Sequence, residues 1–234
     1  MFAVYQGEPG YFGSSLVADP ARSAELIARL PFRITGRGSA GELEPWPPSS
    51  SIGIGAYERG ALVIHQSLLD ECMRADEHPI AKELLRMYPG ETFVSFGLHS
   101  VVDYFGYNVL AQGKVRRFGG AEDHIDEDVG DLLPEEVSHF ENSTVREGMR
   151  YFTSPAFPGE EFDAPAYGEE LVMSITARPF GRPLNDFDRS TITVQYFPYE
   201  DRRHVVRAGT SYAIEGRLVG SRGSASLGEC VAQA

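Results

Sequence analysis

His99 and Asp103 lie four residues apart, a spacing that puts both on one face of a strand or of a helix. An Asp that accepts from one imidazole nitrogen orients the ring and raises its basicity, as a general base or a metal ligand requires. The same pair also suits a plain hydrogen bond at a strand junction, because buried polar groups need partners whatever the function. Ser100 follows His99 directly and would point to the opposite face of a strand, so no local Ser-His-Asp triad is implied. His65 would join the pair only through sheet pairing. A second group, His124, Asp126 and Asp128, could hold a hard divalent cation and so relieve local repulsion. It is not an EF-hand: with Asp126 at position one, Gly130 falls at position five and Val137 at position twelve, where ligands are required.

Other signatures fail on context. Gly36-Arg37-Gly38-Ser39-Ala40-Gly41 has the letters of a dinucleotide fingerprint, but Pro45-Trp46-Pro47-Pro48 forbids the helix whose N-terminus would bind the pyrophosphate. There is no P-loop, no Gly-x-Ser-x-Gly elbow, no His-Glu-x-x-His helix and no kinase set. Cys72 and Cys230 are the only cysteines, which excludes a disulfide framework and a Cys-x-x-Cys pair and fits a reducing cytoplasm.

The elements that must position these residues follow from patterning. The 234 residues are 42% apolar, enough for one sizeable core. Phe2 to Gln6 reads as a strand. Asp19-Pro20 opens a helix with Leu26, Ile27 and Leu30 on one side. Residues 36 to 51, rich in Gly, Pro and Ser, read as a loop that Trp46 pins. Ile52 to Ala56 and Ala61 to His65 form a hairpin, and Ser67 to Glu77 and Pro79 to Tyr88 carry helical spacing. Thr92 to Leu98 is a strand, and the segments flanking Gln112-Gly113 form the clearest hairpin. Pro134-Glu135-Glu136 starts a helix with Val137, Phe140 and Val145 as sparse anchors, and Glu169 to Arg178 is another helix. Thr191 to Tyr199, His204 to Val206 and Tyr212 to Val219 alternate like strands, before a Ser/Gly-rich tail over 220–234. The expectation is one α+β domain over 1–234, a mostly antiparallel sheet with helices on one face and a ferredoxin-like βαββαβ order in its first part.

The net charge of −13 is concentrated. Residues 122 to 170 hold 15 acids against Arg146 and Arg150 alone, and the part to residue 165 is expected to be partly mobile. Such a surface repels a phosphate backbone, so nucleic acid is not an expected partner. Arg178 to Arg222 carries eight Arg against five acids and could pair with the acidic segment within one chain or across a dimer. No run approaches 18 apolar residues, and the N-terminus lacks a basic region followed by an apolar one, so the expectation is a cytoplasmic chain without a membrane partner.

The stretch His99-Ser100-Val101-Val102-Asp103-Tyr104-Phe105, the hairpin at Gly113, the run Ile125 to Pro134, and Gly168-Glu169-Glu170-Leu171 together resemble an uncharacterised bacterial family, a domain of unknown function. The resemblance spans Leu98 to Pro183, and the hairpin around Gly55 to His65 fits it loosely. It implies no activity. Three functional readings stand at this point. The first is a binding or regulatory protein whose acidic surface engages a basic protein partner. The second is a small hydrolase, metal-dependent if a divalent ion binds, with His99 as base and Asp103 orienting it. The third is a subunit of a homo-oligomer.

Overall fold

A computed structural model describes residues 1–6, 12–69, 72–99, 103–121, 124–155 and 157–200. The chain forms β1 (Phe2–Tyr5), α1 (Pro20–Arg29), β2 (Arg33–Ile34), β3 (Ser39–Glu42), β4 (Ser51–Tyr57), β5 (Gly60–Ile64), α2 (Pro79–Met87) and β6 (Thr92–His99). It continues with β7 (Tyr104–Ala111), β8 (Lys114–Ala121), β9 (His124–Val129), α3 (Pro134–Glu141), β10 (Ser143–Arg146), β11 (Met149–Thr153), β12 (Glu161–Asp163), α4 (Ala164–Phe180) and β13 (Thr193–Glu200). These elements lie in a unit spanning Met1–Asp201. The strands expected at 204–206 and 212–219, and the tail, lie outside the described residues.

The main sheet runs β2-β13-β4-β5-β1-β6-β7-β8-β9, with β3 also paired to β13, and every pairing is antiparallel. The fold is α+β. Its first half, read as β1-α1-β4-β5-α2-β6 with spatial order β4-β5-β1-β6, is the ferredoxin-like βαββαβ arrangement. Strand alternation divides the core in two. Phe2 and Val4 face Leu26 and Ile27 of α1 and Ile80 and Leu84 of α2, whereas Ala3 and Tyr5 face the opposite layer. That layer is α4, whose Leu171, Val172 and Ile175 pack with Phe96, Phe105 and Tyr107. Helices therefore cover both faces rather than one, because β6 and β7 are buried on both sides and a second apolar layer is needed to cover them.

Local chemistry explains most boundaries. Asp19 caps α1 by accepting from the amides of Ala21 at 2.8 Å and Arg22 at 3.0 Å. Gln112 and Gly113 have φ of 51° and 77°, two left-handed residues that turn β7 into β8. Gly181, at φ 82°, ends α4 in the left-handed conformation.

Two expectations need correction. Residues 36 to 51 are not all loop: Ser39–Glu42 is β3, and Gly38 and Gly41 lie under the rings of Phe197 and Tyr196, where a Cβ would meet ring carbons at 2.6 and 2.9 Å. These glycines serve strand packing, and no helix follows them to take a phosphate. Ser67 to Glu77 is not a helix but two 3-10 turns, Gln66–Leu68 and Ala75–Glu77. Its residues lie across the sheet over Gly97, Gly106 and Gly119, which face one another on β6, β7 and β8. A Cβ on Gly97 would meet Leu69 at 2.6 Å, one on Gly106 would meet Met73 at 2.8 Å, and one on Gly119 would overlap Met73. This trough seats the chain closer than a helix could come. The described residues of the acidic segment include β9, α3 and a small sheet ordered β10-β11-β12. Phe140 anchors α3, while Val137 and Val145 are exposed.

Gly168 on α4 shows how close the second layer lies: a Cβ there would overlap the ring of Phe105. Helix propensity alone makes Gly→Ala favourable by about 1 kcal/mol. Overpacking works against it by about 1–3 kcal/mol. Gly168→Ala is therefore expected to lower the unfolding midpoint in urea, and a rise would show that the layers do not meet there.

No helix among the described residues is long and apolar enough to cross a membrane.

Candidate functional site

The structure separates the residues that spacing had grouped. His99 ends β6 opposite Tyr104, and Asp103 lies in the intervening turn with a left-handed φ of 45°. No hydrogen bond or ion pair joins the two. The turn breaks the alternation that would have put them on one face. His99 instead stands edge-on to Trp46, with ring centroids 5.6 Å apart, and its Nδ1 is buried without a hydrogen-bond partner. On β9, a bulge opposite Gly119 and Gly120 interrupts the pairing. His124 Nε2 meets Asp126 Oδ1 at 2.8 Å on the surface, while Asp128 reaches Arg116 at 2.6 Å. Among the described residues no group of three or more His, Cys, Asp or Glu is placed to hold a metal ion, so His124, Asp126 and Asp128 do not converge on one.

Asp128 belongs to a buried ion network. Arg116, with its side chain 2% exposed, meets Glu136 at 2.6 Å, and Glu136 also accepts from Tyr107 Oη at 2.5 Å and from the Leu133 amide at 2.7 Å. Burial, reinforced by the Glu136 charge, holds the Tyr107 hydroxyl well above its ordinary pKa. Burial alone would lower the Arg116 pKa, but the hydrogen bonds it donates to Glu136 and Asp128 carry it above the ordinary value. Nearby, Glu127 meets Arg74 at 2.9 Å and Glu135 meets Arg178 at 2.7 Å. Much of the acidic segment is thus neutralised within the chain, by Arg116 and Arg117 of β8, by Arg74 and, among the described residues of the basic C-terminal region, by Arg178.

A cavity of about 430 Å³ lies between the sheet and α4, near the ends of β5 and β6. Its floor is apolar: Ile64 and Phe96 from the sheet, Leu98 at the end of β6, Met173 from α4 and Leu184 from the turn that follows. Trp46, 46% exposed, stands at its mouth with Glu44, Glu169 and Arg189. Each is held by fixed structure. Tyr196 Oη accepts from the Glu44 amide at 2.7 Å and donates to the Glu42 carbonyl at 2.8 Å, while the Leu43 amide donates to the Ile192 carbonyl at 2.8 Å, so the loop bearing Glu44 and Trp46 is tied to β13. Glu169 sits in the second turn of α4, whose Asp163 cap accepts from the Ala166 amide at 3.0 Å. Arg189 opens a 3-10 turn capped by Asp188. His65, 6% exposed, forms part of the wall, and its Nε2 lies 2.7 Å from Tyr199 Oη.

What distinguishes this cavity is its charge. Glu44, Glu169 and Arg189 enter no ion pair among the described residues. A second cavity, of about 500 Å³ beside β8 and α3, is lined by Lys114, Arg116 and Arg178, but all three are engaged by carboxylates. Sequence reasoning had placed Trp46 only as a pin for its loop and had not singled out Glu44, Glu169 or Arg189. They come from a loop, a helix and a 3-10 turn, and no periodicity links them.

One titrating group outside the cavity has a stability consequence. His139 Nδ1 lies 2.8 Å from Tyr167 Oη, and burial lowers the His139 pKa from 6.5. The neutral ring is the folded form, so this stabilisation is complete above about 6.5 and is lost as the pH falls through the lower folded-state value. His139→Gln should flatten the fall in melting temperature between about pH 7 and 5. An unchanged slope would assign that fall to other groups.

No curated protein and no solved structure matches the chain. The resemblance drawn over residues 98–183 is borne out and extends almost to the N-terminus. The model of a family of unknown function, DUF6928, matches residues 3–195, and the chain belongs to that family.

Proposed function

We propose that this is a binding protein, regulatory rather than catalytic, that takes a small organic ligand in the cavity beneath Trp46. The observation that carries the reading is an apolar floor ringed by an exposed indole and unpaired charges. A concave pocket with an apolar floor and a few polar groups at its edge is the usual form of a small-molecule site. The acidic surface is a weaker candidate for the binding face, because many of its carboxylates already have partners in the chain. A hydrolase reading has one observation in its favour, the unpartnered Nδ1 of His99 beside Trp46, but Asp103 makes no hydrogen bond or ion pair with it. A bacterial cytoplasmic setting is part of the proposal, and the presence of only two cysteines in 234 residues supports its reducing compartment.

Trp46 is the only tryptophan, so its emission reports on the mouth directly. Titration with the neutral apolar probe phenylnaphthylamine should change that emission saturably. A linear, unsaturable response would remove the support for a binding cavity.

A further inference from the structure

The cavity's mouth carries free charge of both signs. Two carboxylates, Glu44 and Glu169, and one guanidinium, Arg189, stand around an apolar floor, and none is neutralised by another side chain among the described residues. A purely apolar ligand would leave all three without use. A simple cation would be opposed by Arg189, and a simple anion by the two carboxylates. Ligands are selected by such opposed charges when they carry both signs themselves.

Building on the binding reading above, we infer that the ligand is a zwitterion with an apolar body, of which an α-amino acid with a large apolar side chain is the simplest form. The body enters between Phe96, Leu98 and Met173, where burial of apolar area supplies the driving force. The ammonium stays at the mouth, where Glu44 and Glu169 accept from it and the Trp46 ring attracts it through its π face. The carboxylate takes the guanidinium of Arg189, whose planar fork suits two parallel hydrogen bonds. Because these charges stay at the rim, they keep part of their hydration, and binding does not require burial of an isolated ion. A volume of about 430 Å³ lies in the range of small-molecule pockets and accommodates such a ligand.

The test compares three probes in calorimetry and Trp46 emission: L-phenylalanine, phenethylamine, which lacks the carboxylate, and hydrocinnamate, which lacks the ammonium. L-Phenylalanine should bind at least about tenfold more tightly than either, the scale of one charged hydrogen bond. Arg189→Gln should bring L-phenylalanine down to the phenethylamine level while leaving phenethylamine no weaker. The double variant Glu44→Gln, Glu169→Gln should bring it down to the hydrocinnamate level. All three substituted side chains are exposed or at the rim, and melting curves verify that each variant folds. Equal affinity for L-phenylalanine and either truncated analogue would overturn the zwitterion assignment, as would indifference of L-phenylalanine to these substitutions. Saturable phenylnaphthylamine binding under the same conditions would leave the cavity reading standing. Failure of phenylnaphthylamine and all three probes would overturn both.

Discussion

Arg116→Met is expected to destabilise the fold by about 3–5 kcal/mol, the scale for breaking a buried ion pair and leaving one charge behind. The loss would be a large part of the ~5–15 kcal/mol that a domain of this kind has in total. The reason lies in Glu136. Its side chain is 1% exposed, and removal of the guanidinium leaves it with only the Tyr107 hydroxyl and the Leu133 amide as donors. Asp128, whose side chain is 45% exposed, loses the same partner at little cost because water replaces it. The double variant Arg116→Met, Glu136→Gln should recover about half or more of the loss. A glutamine carries no charge, and its oxygen can still accept from the Leu133 amide while its NH2 donates to the Tyr107 hydroxyl oxygen. Urea unfolding of the two variants separates charge from packing. If Arg116→Met costs under about 1 kcal/mol, the range of exposed pairs, the network is not the buried tie that joins α3 to β8 and β9.

Filling the cavity is expected to affect binding and stability in opposite directions. Leu98→Phe together with Met173→Phe adds volume to the floor, so probe affinity should fall by about a hundredfold or more, equivalent to about 2.7 kcal/mol. Stability should hold or rise by about 0.5–2 kcal/mol, as cavity-filling substitutions commonly do. Trp46 itself is unchanged in the variant, so the emission assay remains usable. The single variant Leu98→Phe gives an intermediate loss if the pair proves overpacked. A merely destabilised protein would lose both quantities together. Binding that survives in a stably folded double variant would place the ligand elsewhere.

The sheet was legible because its strands announce themselves locally. Gln112-Gly113 between two β-prone runs specifies a hairpin without outside help, and Asp19-Pro20 specifies a helix start in the same way. The βαββαβ order followed from those elements. What was hidden depended on distant partners. The helical spacing of residues 67 to 77 is overridden by the glycine trough of β6, β7 and β8, which becomes visible only when the three strands are side by side. Glycine content in residues 36 to 51 read as loop because the aromatic rings that cover Gly38 and Gly41 come from β13, over 150 residues away in sequence. The acidic segment looked like an interaction surface because its counterions lie outside it, Arg116 and Arg117 on the preceding strand β8 and Arg74 and Arg178 farther along the chain.

The site was less legible than the fold. His99 was a sound choice of residue, since it stands against Trp46 at the cavity's edge, but its partner was misjudged. Spacing of four residues implies one face only while the strand continues. Here β6 ends at His99, and the left-handed φ of Asp103 turns the chain. The second group is divided in a related way: His124 and Asp126 stay paired across the irregularity on β9, while Arg116 holds Asp128.

The central claim is that the cavity beneath Trp46 binds a small ligand. Methyl-resolved NMR tests it most directly, since Ile64, Leu98, Met173 and Leu184 contribute methyl groups to the floor and reach it from four separate parts of the chain. Addition of phenylnaphthylamine is expected to shift these four together along one saturation curve, leaving Val63 and Leu84 of the opposite core layer in place. Shifts confined to other surfaces, with the four floor methyls unmoved at saturation, would contradict the account.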